Sequence, residues 1–212
     1  MDIKPKKIYL LLYNFIQFLG WTNILISMIK VCISGNFNLL YPSVSIYLKT
    51  FQGLSFLEIV HSFTGLVRSN PGITFIQVII RLINVWIIIA SFVDVQNSIF
   101  LWMTLTAWAP TEVIRYGYYT TVLLEKEIEI LTKLRYSLFI VLYPLGMIGE
   151  YGNAFTCLPT VYKEKTYSVE MPNSLNFTFN FFKVLFTLMI ILLPSFPILY
   201  GHMLKQRKKM LS

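Results

Sequence analysis

The chain alternates between long apolar runs and short polar connections over almost its whole length. Six runs of about twenty residues could each cross the roughly 30 Å hydrocarbon core of a bilayer as a helix. They lie at about 8–29, 43–66, 73–93, 99–122, 136–158 and 178–200. The pattern therefore predicts an all-α, polytopic membrane protein, a bundle of six transmembrane helices.

The second and fourth runs are the least apolar of the six. The second carries Glu58 and His61, and the fourth is interrupted by Pro110 and carries Glu112 and Arg115. Ionisable residues inside a membrane span usually face the bundle interior or a water-filled cavity. We therefore expect these polar groups to be buried within the bundle.

Composition supports the membrane class and leaves little room for a separate soluble domain. The 212 residues are 56% hydrophobic and only 13% charged, and the mean hydropathy is +0.63. An ordinary soluble domain carries about 25% charged residues. We expect one transmembrane domain over 1–212, with short basic cytosolic tails at 1–7 and 203–212.

Basic residues are concentrated at the two ends of the chain and in alternate connections. Cytosolic connections of membrane proteins carry an excess of Lys and Arg, so an even number of spans with both termini cytosolic fits best. The same distribution explains the net charge of +8 without a nucleic-acid partner. The cytosolic set is then Lys4, Lys6, Lys7, Arg68, Lys126, Lys133, Arg135, Lys205, Arg207, Lys208 and Lys209, against Lys30, Lys49, Lys163 and Lys165 on the other side.

Tyr143 and Glu150 lie seven residues apart in the fifth run. Seven residues are close to two helical turns, so both side chains lie on nearly the same face, about 10 Å apart along the axis. Such a pair can line one cavity and act as acid and base. The alternative is a carboxylate neutralised by a basic neighbour. Pro144 frees the backbone carbonyl four residues earlier, which predicts a kink beside the pair.

Charge balance within the spans suggests which carboxylate lacks a basic partner. Glu112 and Arg115 lie on one turn and are expected to pair, while Arg81 could reach Glu58 on a neighbouring span. Glu150 would then be the unpaired carboxylate, suited to proton transfer. For Arg81 and Arg115 two roles stay open, structural salt bridges or the anchoring of a phosphate-bearing ligand.

Other polar and small residues are expected to support this interior. Glu58 and His61 fit an ion pair or hydrogen bond better than a metal site, because further ligands with metal-ligand spacing are absent from the sequence. The two cysteines are too few for a disulfide framework. The glycine face formed by Gly146, Gly149 and Gly152 could admit a neighbouring helix or a substrate chain, and helix packing is favoured.

Five segments of the chain together match one known family. They are Leu57-Glu-Ile-Val-His-Ser62, Gly65-Leu-Val-Arg-Ser69, Gln77-Val-Ile-Ile-Arg81, Trp108-Ala-Pro-Thr-Glu-Val-Ile-Arg-Tyr116 and, most specifically, Leu134-Arg-Tyr-Ser-Leu-Phe-Ile-Val-Leu-Tyr-Pro-Leu-Gly-Met-Ile-Gly-Glu150. Through these segments the chain resembles the very-long-chain 3-hydroxyacyl-CoA dehydratase family, once called protein-tyrosine-phosphatase-like. The resemblance implies a six-span protein of the endoplasmic reticulum membrane that removes water from a (3R)-3-hydroxyacyl-CoA to give the trans-2-enoyl-CoA, the third step of the fatty-acid elongation cycle. It implies no cofactor, and Tyr143 and Glu150 fall on the family's catalytic pair.

These expectations assign roles to the remaining polar residues. The CoA head should dock on the cytosolic rim, with the acyl chain between spans. Elongase and reductase enzymes of the same cycle, together with membrane lipid, are the expected partners. The competing hypothesis is a non-catalytic transporter or assembly protein that keeps the fold, although the intact catalytic pair argues against it. Substrate binding is expected of Arg68, Arg81, Arg115, Tyr116 and Arg135, and the supporting polar network of Glu58, His61, Gln77 and Glu112.

Overall fold

The structure is a computed structural model that describes residues 5–126, 128–172, 174 and 176–211. Regular structure in these residues is helical, apart from one isolated antiparallel bridge between Val169 and Phe179. A short 3-10 turn, Phe37–Leu39, lies between the first two α-helices, and one π-helix occurs. The helices are α1 (Pro5–Ser34), α2 (Leu40–Leu54), α3 (Phe56–Phe63), α4 (Pro71–Leu82), the π-helix (Ile83–Ile89), α5 (Val93–Gln96), α6 (Ile99–Leu123), α7 (Glu129–Arg135), α8 (Phe139–Glu164), α9 (Phe181–Leu192) and α10 (Ser195–Leu211).

Polar residues at several helix starts explain where these elements begin. The Asn70 side chain accepts hydrogen bonds from the backbone N–H groups of Gly72 and Ile73, and Pro71 follows it at the first helical position of α4. Ser98 and Asn180 cap α6 and α9 in the same way. These side chains satisfy backbone donors that the first turn of a helix leaves without partners.

Consecutive helices group into six segments that pack in one bundle, and each segment is called a pass here. The passes are α1, α2 with α3, α4 with the π-helix, α6, α8, and α9 with α10. Contacts between helices show how α8 and α6 run relative to each other. Gly146 of α8 lies against Ala107 and Gly152 lies against Phe100, so the two helices are antiparallel. Likewise α1 and α6 are antiparallel, since Lys7 pairs with Glu125 at 2.6 Å.

Both described ends of the chain lie at one end of the bundle. Lys7 near the start of α1 meets Glu125 beyond the end of α6. In α10, the Tyr200 hydroxyl donates to the Ile140 carbonyl near the start of α8, at 3.3 Å. We call this the terminal end. Most of the stretch predicted as a tail at 203–212 continues α10, which is helical to Leu211.

Length and composition single out some of these passes as candidate membrane spans. Three described stretches are long and apolar enough to cross a membrane: Pro5–Ser34, Pro71–Ile89 and Phe181–Met210. A fourth is added if α7 and α8, which meet at 45°, form one bent span. The passes that match the predicted second and fourth spans are not among them, in keeping with their polar residues. The protein is thus an all-helical bundle with three or four candidate spans.

The glycine face of α8 packs directly on α6. A Cβ atom at Gly149 would lie 2.5 Å from the backbone nitrogen of Thr104, and one at Gly146 would lie 3.1 Å from the Ala107 Cβ. The two helices therefore approach more closely than any side chain would allow. This confirms the helix-packing interpretation of the glycine spacing over the admission of a substrate chain.

Helix α8 continues through Pro144 without interruption. The Ile140 carbonyl, which Pro144 leaves without an N–H donor, accepts a hydrogen bond from the Tyr200 hydroxyl instead. The 45° bend lies earlier, between α7 and α8 at residues 136–138. The predicted change of direction in this segment therefore occurs before the proline rather than beside it.

Candidate active site

The middle of α8 borders a cavity between three passes of the bundle. The cavity has a volume of ≈ 80 Å³ and lies between α4 with its π-helix, α8 and α9. Glu150 is the one carboxylate among residues that are otherwise almost all apolar. π-helical turns are rare and are frequent at functional sites. The lining residues are Ile80, Ile83, Asn84, Ile88, Glu150, Tyr151, Ala154, Leu185, Leu188, Met189 and Leu192.

Glu150 is partly buried and is held by one side-chain hydrogen bond. The indole N–H of Trp108, on α6, donates to Glu150 Oε1 at 2.9 Å. The Asn84 amide donates to the Glu150 backbone carbonyl at 3.4 Å, which ties α8 to the π-helix. Within the described residues Glu150 has no salt bridge. This agrees with the expectation that its carboxylate lacks a basic partner.

Tyr143 lies two turns before Glu150 but has different surroundings. Its ring stacks on Phe196 and Tyr200 of α10, with ring centroids 5.1 and 6.2 Å apart. Among the described residues its hydroxyl makes no hydrogen bond, and Tyr143 is not part of the cavity lining. Glu150 alone of the pair is therefore among the residues that line this cavity, while the Tyr143 ring packs on α10.

Four charged side chains form a continuous chain across three passes. Arg115 makes a two-pronged contact with Glu58, at 2.8 and 3.0 Å, and its Nε donates to Glu112 at 2.7 Å. The other oxygen of Glu112 accepts from Arg81. Since two cations face two anions, the cluster has no net charge, and the Glu112 side chain is only 3% exposed.

These contacts test the pairing inferred from the sequence. The predicted pair of Glu112 and Arg115 is confirmed. The predicted pair of Arg81 and Glu58 is wrong: Arg81 binds Glu112, and Glu58 binds the far side of Arg115. The planar guanidinium of Arg115 presents donors to two carboxylates at once, which leaves the second oxygen of Glu112 for Arg81.

The ion-pair chain reaches Glu150 through Trp108. The Arg81 guanidinium lies over the Trp108 ring, 4.1 Å from its centroid, and Trp108 in turn donates to Glu150. Cations are attracted to the faces of aromatic rings. The orientation of the indole is therefore set by a residue that the ion pair with Glu112 already fixes.

Three other predicted residues are buried in, or pack beside, this network. Tyr116 is buried and donates its hydroxyl to Glu58. His61 is buried as well, but its Nε2 shares a hydrogen bond of 2.8 Å with Tyr9 rather than with Glu58. Arg135 donates to the Tyr119 hydroxyl at 2.9 Å and lies against three tyrosine rings near the terminal end.

Two predicted residues lie outside the network. Arg68 is exposed in the connection before α4. Gln77 is also exposed, and it makes no hydrogen bond within the part of the chain that the structure describes. Its expected place in the polar network is wrong, because α4 turns the neighbouring Val78 inward instead.

Sequence reasoning missed the role of two side chains that contact the centre of α8. Trp108 lies one turn before Glu112, on the face that also carries Arg115, so the spacing could have revealed it. Asn153, three residues after Glu150, is fully buried and donates to the Thr104 hydroxyl at 2.9 Å. The spacing of three residues places Asn153 close to Glu150 on α8, so the sequence could have revealed it as well.

The fold and this site define a helical membrane-protein class in which a carboxylate faces an apolar cavity. The family model described as "Protein tyrosine phosphatase-like protein, PTPLA" matches residues 52–212. The chain belongs to this family.

Named relatives cover nearly the whole chain. The human "Very-long-chain (3R)-3-hydroxyacyl-CoA dehydratase 2" is 38% identical over 96% of this chain and 81% of its own length. The Caenorhabditis elegans "Very-long-chain (3R)-3-hydroxyacyl-CoA dehydratase hpo-8" is 42% identical over 96% and 94%. The Arabidopsis thaliana "Very-long-chain (3R)-3-hydroxyacyl-CoA dehydratase PASTICCINO 2" is 35% identical over 98% and 94%. No solved structure matches the chain.

Proposed function

We propose that this chain is a hydro-lyase that converts very-long-chain (3R)-3-hydroxyacyl-CoA to trans-2-enoyl-CoA in fatty-acid elongation. The observation that carries the proposal is the Glu150 carboxylate, which lines an apolar cavity and makes no salt bridge with any described residue, in a family whose relatives are named for this dehydration. An apolar cavity suits an acyl chain, and a carboxylate in it suits proton transfer.

The chemistry assigns complementary tasks to two residues of α8. Dehydration removes a proton from C2 and delivers one to the departing C3 hydroxyl, while negative charge develops on the thioester oxygen. Glu150 is the principal proton-transfer group in this proposal, and Tyr143 is its partner. No hydrogen bond joins their side chains among the described residues, so in this proposal the substrate lies between them.

The distribution of basic residues supports one orientation of the protein in the membrane. The terminal end carries the start of α1, the connection before α4, α7 and the basic end of α10, whereas Lys163 and Lys165 lie at the opposite end. By the positive-inside rule the terminal end is cytosolic. We propose six membrane spans with both termini cytosolic, one domain over 1–212, and residence in the endoplasmic reticulum membrane beside the elongase and reductases of the cycle.

The CoA head is proposed to bind at the terminal end. Arg68 is exposed there and has no acidic partner among the described residues, so its charge is available to the CoA phosphates. Arg135 contributes positive charge close by, although its guanidinium also contacts tyrosines. Arg81, Arg115 and Tyr116 are engaged with carboxylates, so any part they take in substrate binding is through the shape of the site.

Turnover of a long-chain 3-hydroxyacyl-CoA by the purified protein in detergent tests the proposal. Tyr143→Phe and Glu150→Gln should each lose activity while keeping the fold. Tyr162→Phe and Glu164→Gln are matched controls on the exposed end of α8 and should retain it. Folded wild-type protein without turnover at any chain length would refute the enzymatic proposal and favour a transporter or assembly protein.

A further inference from the structure

Trp108 supplies the side-chain hydrogen bond to Glu150. The distance from its Nε1 to Glu150 Oε1 is 2.9 Å, and the Trp108 side chain is buried, with 5% of its surface exposed. A hydrogen bond to an ionised group is shorter and stronger than one between neutral groups. The contact joins the middle of α6 to the middle of α8, beside the close approach at Gly149.

The Trp108 ring is itself fixed in place. Arg81 lies over its face at 4.1 Å, and the Arg81 guanidinium is bound to Glu112. Gly146 of α8 faces the indole at ordinary contact distance, 3.8 Å from Cδ1 to a Cβ placed there, so the ring edge can reach α8. These contacts hold the orientation of the indole ring, with its N–H directed at Glu150.

We propose that Trp108 is a positioning residue that orients the Glu150 carboxylate for proton transfer. The inference rests on the proposed dehydratase function. Holding Oε1 with the indole fixes rotation of the carboxylate and leaves Oε2 free to exchange a proton with substrate in the cavity. Fixing a reacting group in advance lowers the barrier by removing an entropy cost from the reaction step.

The geometry separates this role from a purely structural one. The indole N–H donates to Glu150, whereas the ring face lies against Arg81. Removing the N–H and keeping the ring should slow the chemical step without disturbing the ion pairs. Substrate affinity should change little, because Trp108 does not line the cavity proposed for the acyl chain and the CoA head is proposed to bind at the terminal end.

The experiment compares steady-state turnover of wild type, Trp108→Phe and Trp102→Phe in detergent. Trp102 is on the same helix, partly buried against Phe37, and serves as the matched control. Because a misplacement of about 1 Å at a reacting group can cost about 100-fold in rate, kcat of Trp108→Phe should fall about 10- to 100-fold. KM should stay within about twofold and the control should match wild type.

A second variant allows the same test if Trp108→Phe does not fold. Benzothienylalanine at position 108 keeps the size and shape of the bicyclic ring but has no N–H. It should reproduce the fall in kcat, and a cooperative melting transition checks that the variant is folded.

The possible failures are distinct. Wild-type kcat in the folded benzothienylalanine protein would overturn the positioning role alone. A rise in KM with unchanged kcat would also overturn it, by pointing to substrate binding. An inactive wild type would overturn the proposed function itself.

Discussion

Replacing Gly149 with alanine tests the contact that brings α8 onto α6. The new Cβ would lie 2.5 Å from both the backbone nitrogen and the Oγ1 of Thr104, and 2.9 Å from its Cα. Because two of these atoms belong to the backbone, no side-chain rotation relieves the overlap. The helices must separate by about 1 Å to restore ordinary contact.

That separation has a cost in stability and a larger one in activity. Overpacking lowers the free energy of unfolding by about 1–3 kcal/mol. The better helix propensity of alanine offsets about 1 kcal/mol of this loss. The next residue, Glu150, moves away from the Trp108 indole, whose hydrogen bond is now 2.9 Å long. If Glu150 transfers the proton as proposed, a displacement of about 1 Å can cost about 100-fold in rate.

The assay pairs thermal unfolding in detergent with turnover of a 3-hydroxyacyl-CoA. Gly201→Ala is the control, because a Cβ at that α10 position meets nothing within 4 Å. It should melt at or slightly above the wild-type temperature with full activity. Gly149→Ala with wild-type melting and wild-type turnover would refute the inference that this contact sets the position of Glu150.

Three further changes probe other parts of the molecule. Arg115→Ala leaves two partly or fully buried carboxylates without their shared cation, and should lower the free energy of unfolding by about 3–5 kcal/mol. Thermal or denaturant unfolding measures this loss, and a value below about 1 kcal/mol would contradict the ion-pair account. Leu188→Trp fills the cavity at Glu150 and should lower turnover at least about tenfold, whereas Ile191→Trp on an exposed face of α9 should not. Equal activity of the two variants would show that substrate does not use this cavity. Arg68→Glu should raise KM for acyl-CoA about threefold or more at low salt, with Lys163→Glu at the opposite end as the control; an unchanged KM would place the CoA head elsewhere.

Features confined to one helix could be predicted from the sequence. The periodicity of apolar residues gave the approximate helical passes, because a helix satisfies its own backbone hydrogen bonds in an apolar medium. The pair of Glu112 and Arg115 was predictable for the same reason: a spacing of three residues places both on one turn. The lack of a basic partner for Glu150 also followed from counting charges, although the proposed pairing was partly wrong.

Contacts between helices were decided only by the tertiary structure. Arg81 could reach either of two glutamates by span order alone, and the rotation of α4 and α6 about their axes selects Glu112. The same rotation turns Gln77 outward. Tyr143 and Glu150 share a helix face, yet stacking on α10 separates the Tyr143 ring from the cavity that Glu150 lines.

The distinction has a simple physical origin. Within one helix the rise and the turn per residue are fixed, so spacing along the chain determines which side chains are neighbours. Between helices, rotation, depth and separation depend on how small and large side chains pack across the whole interface. The sequence by itself therefore determined an apolar helical membrane protein and pointed to Glu150 as a carboxylate outside the ion pairs. The close approach at Gly149, which brings the Trp108 indole to that carboxylate, was decided only by packing.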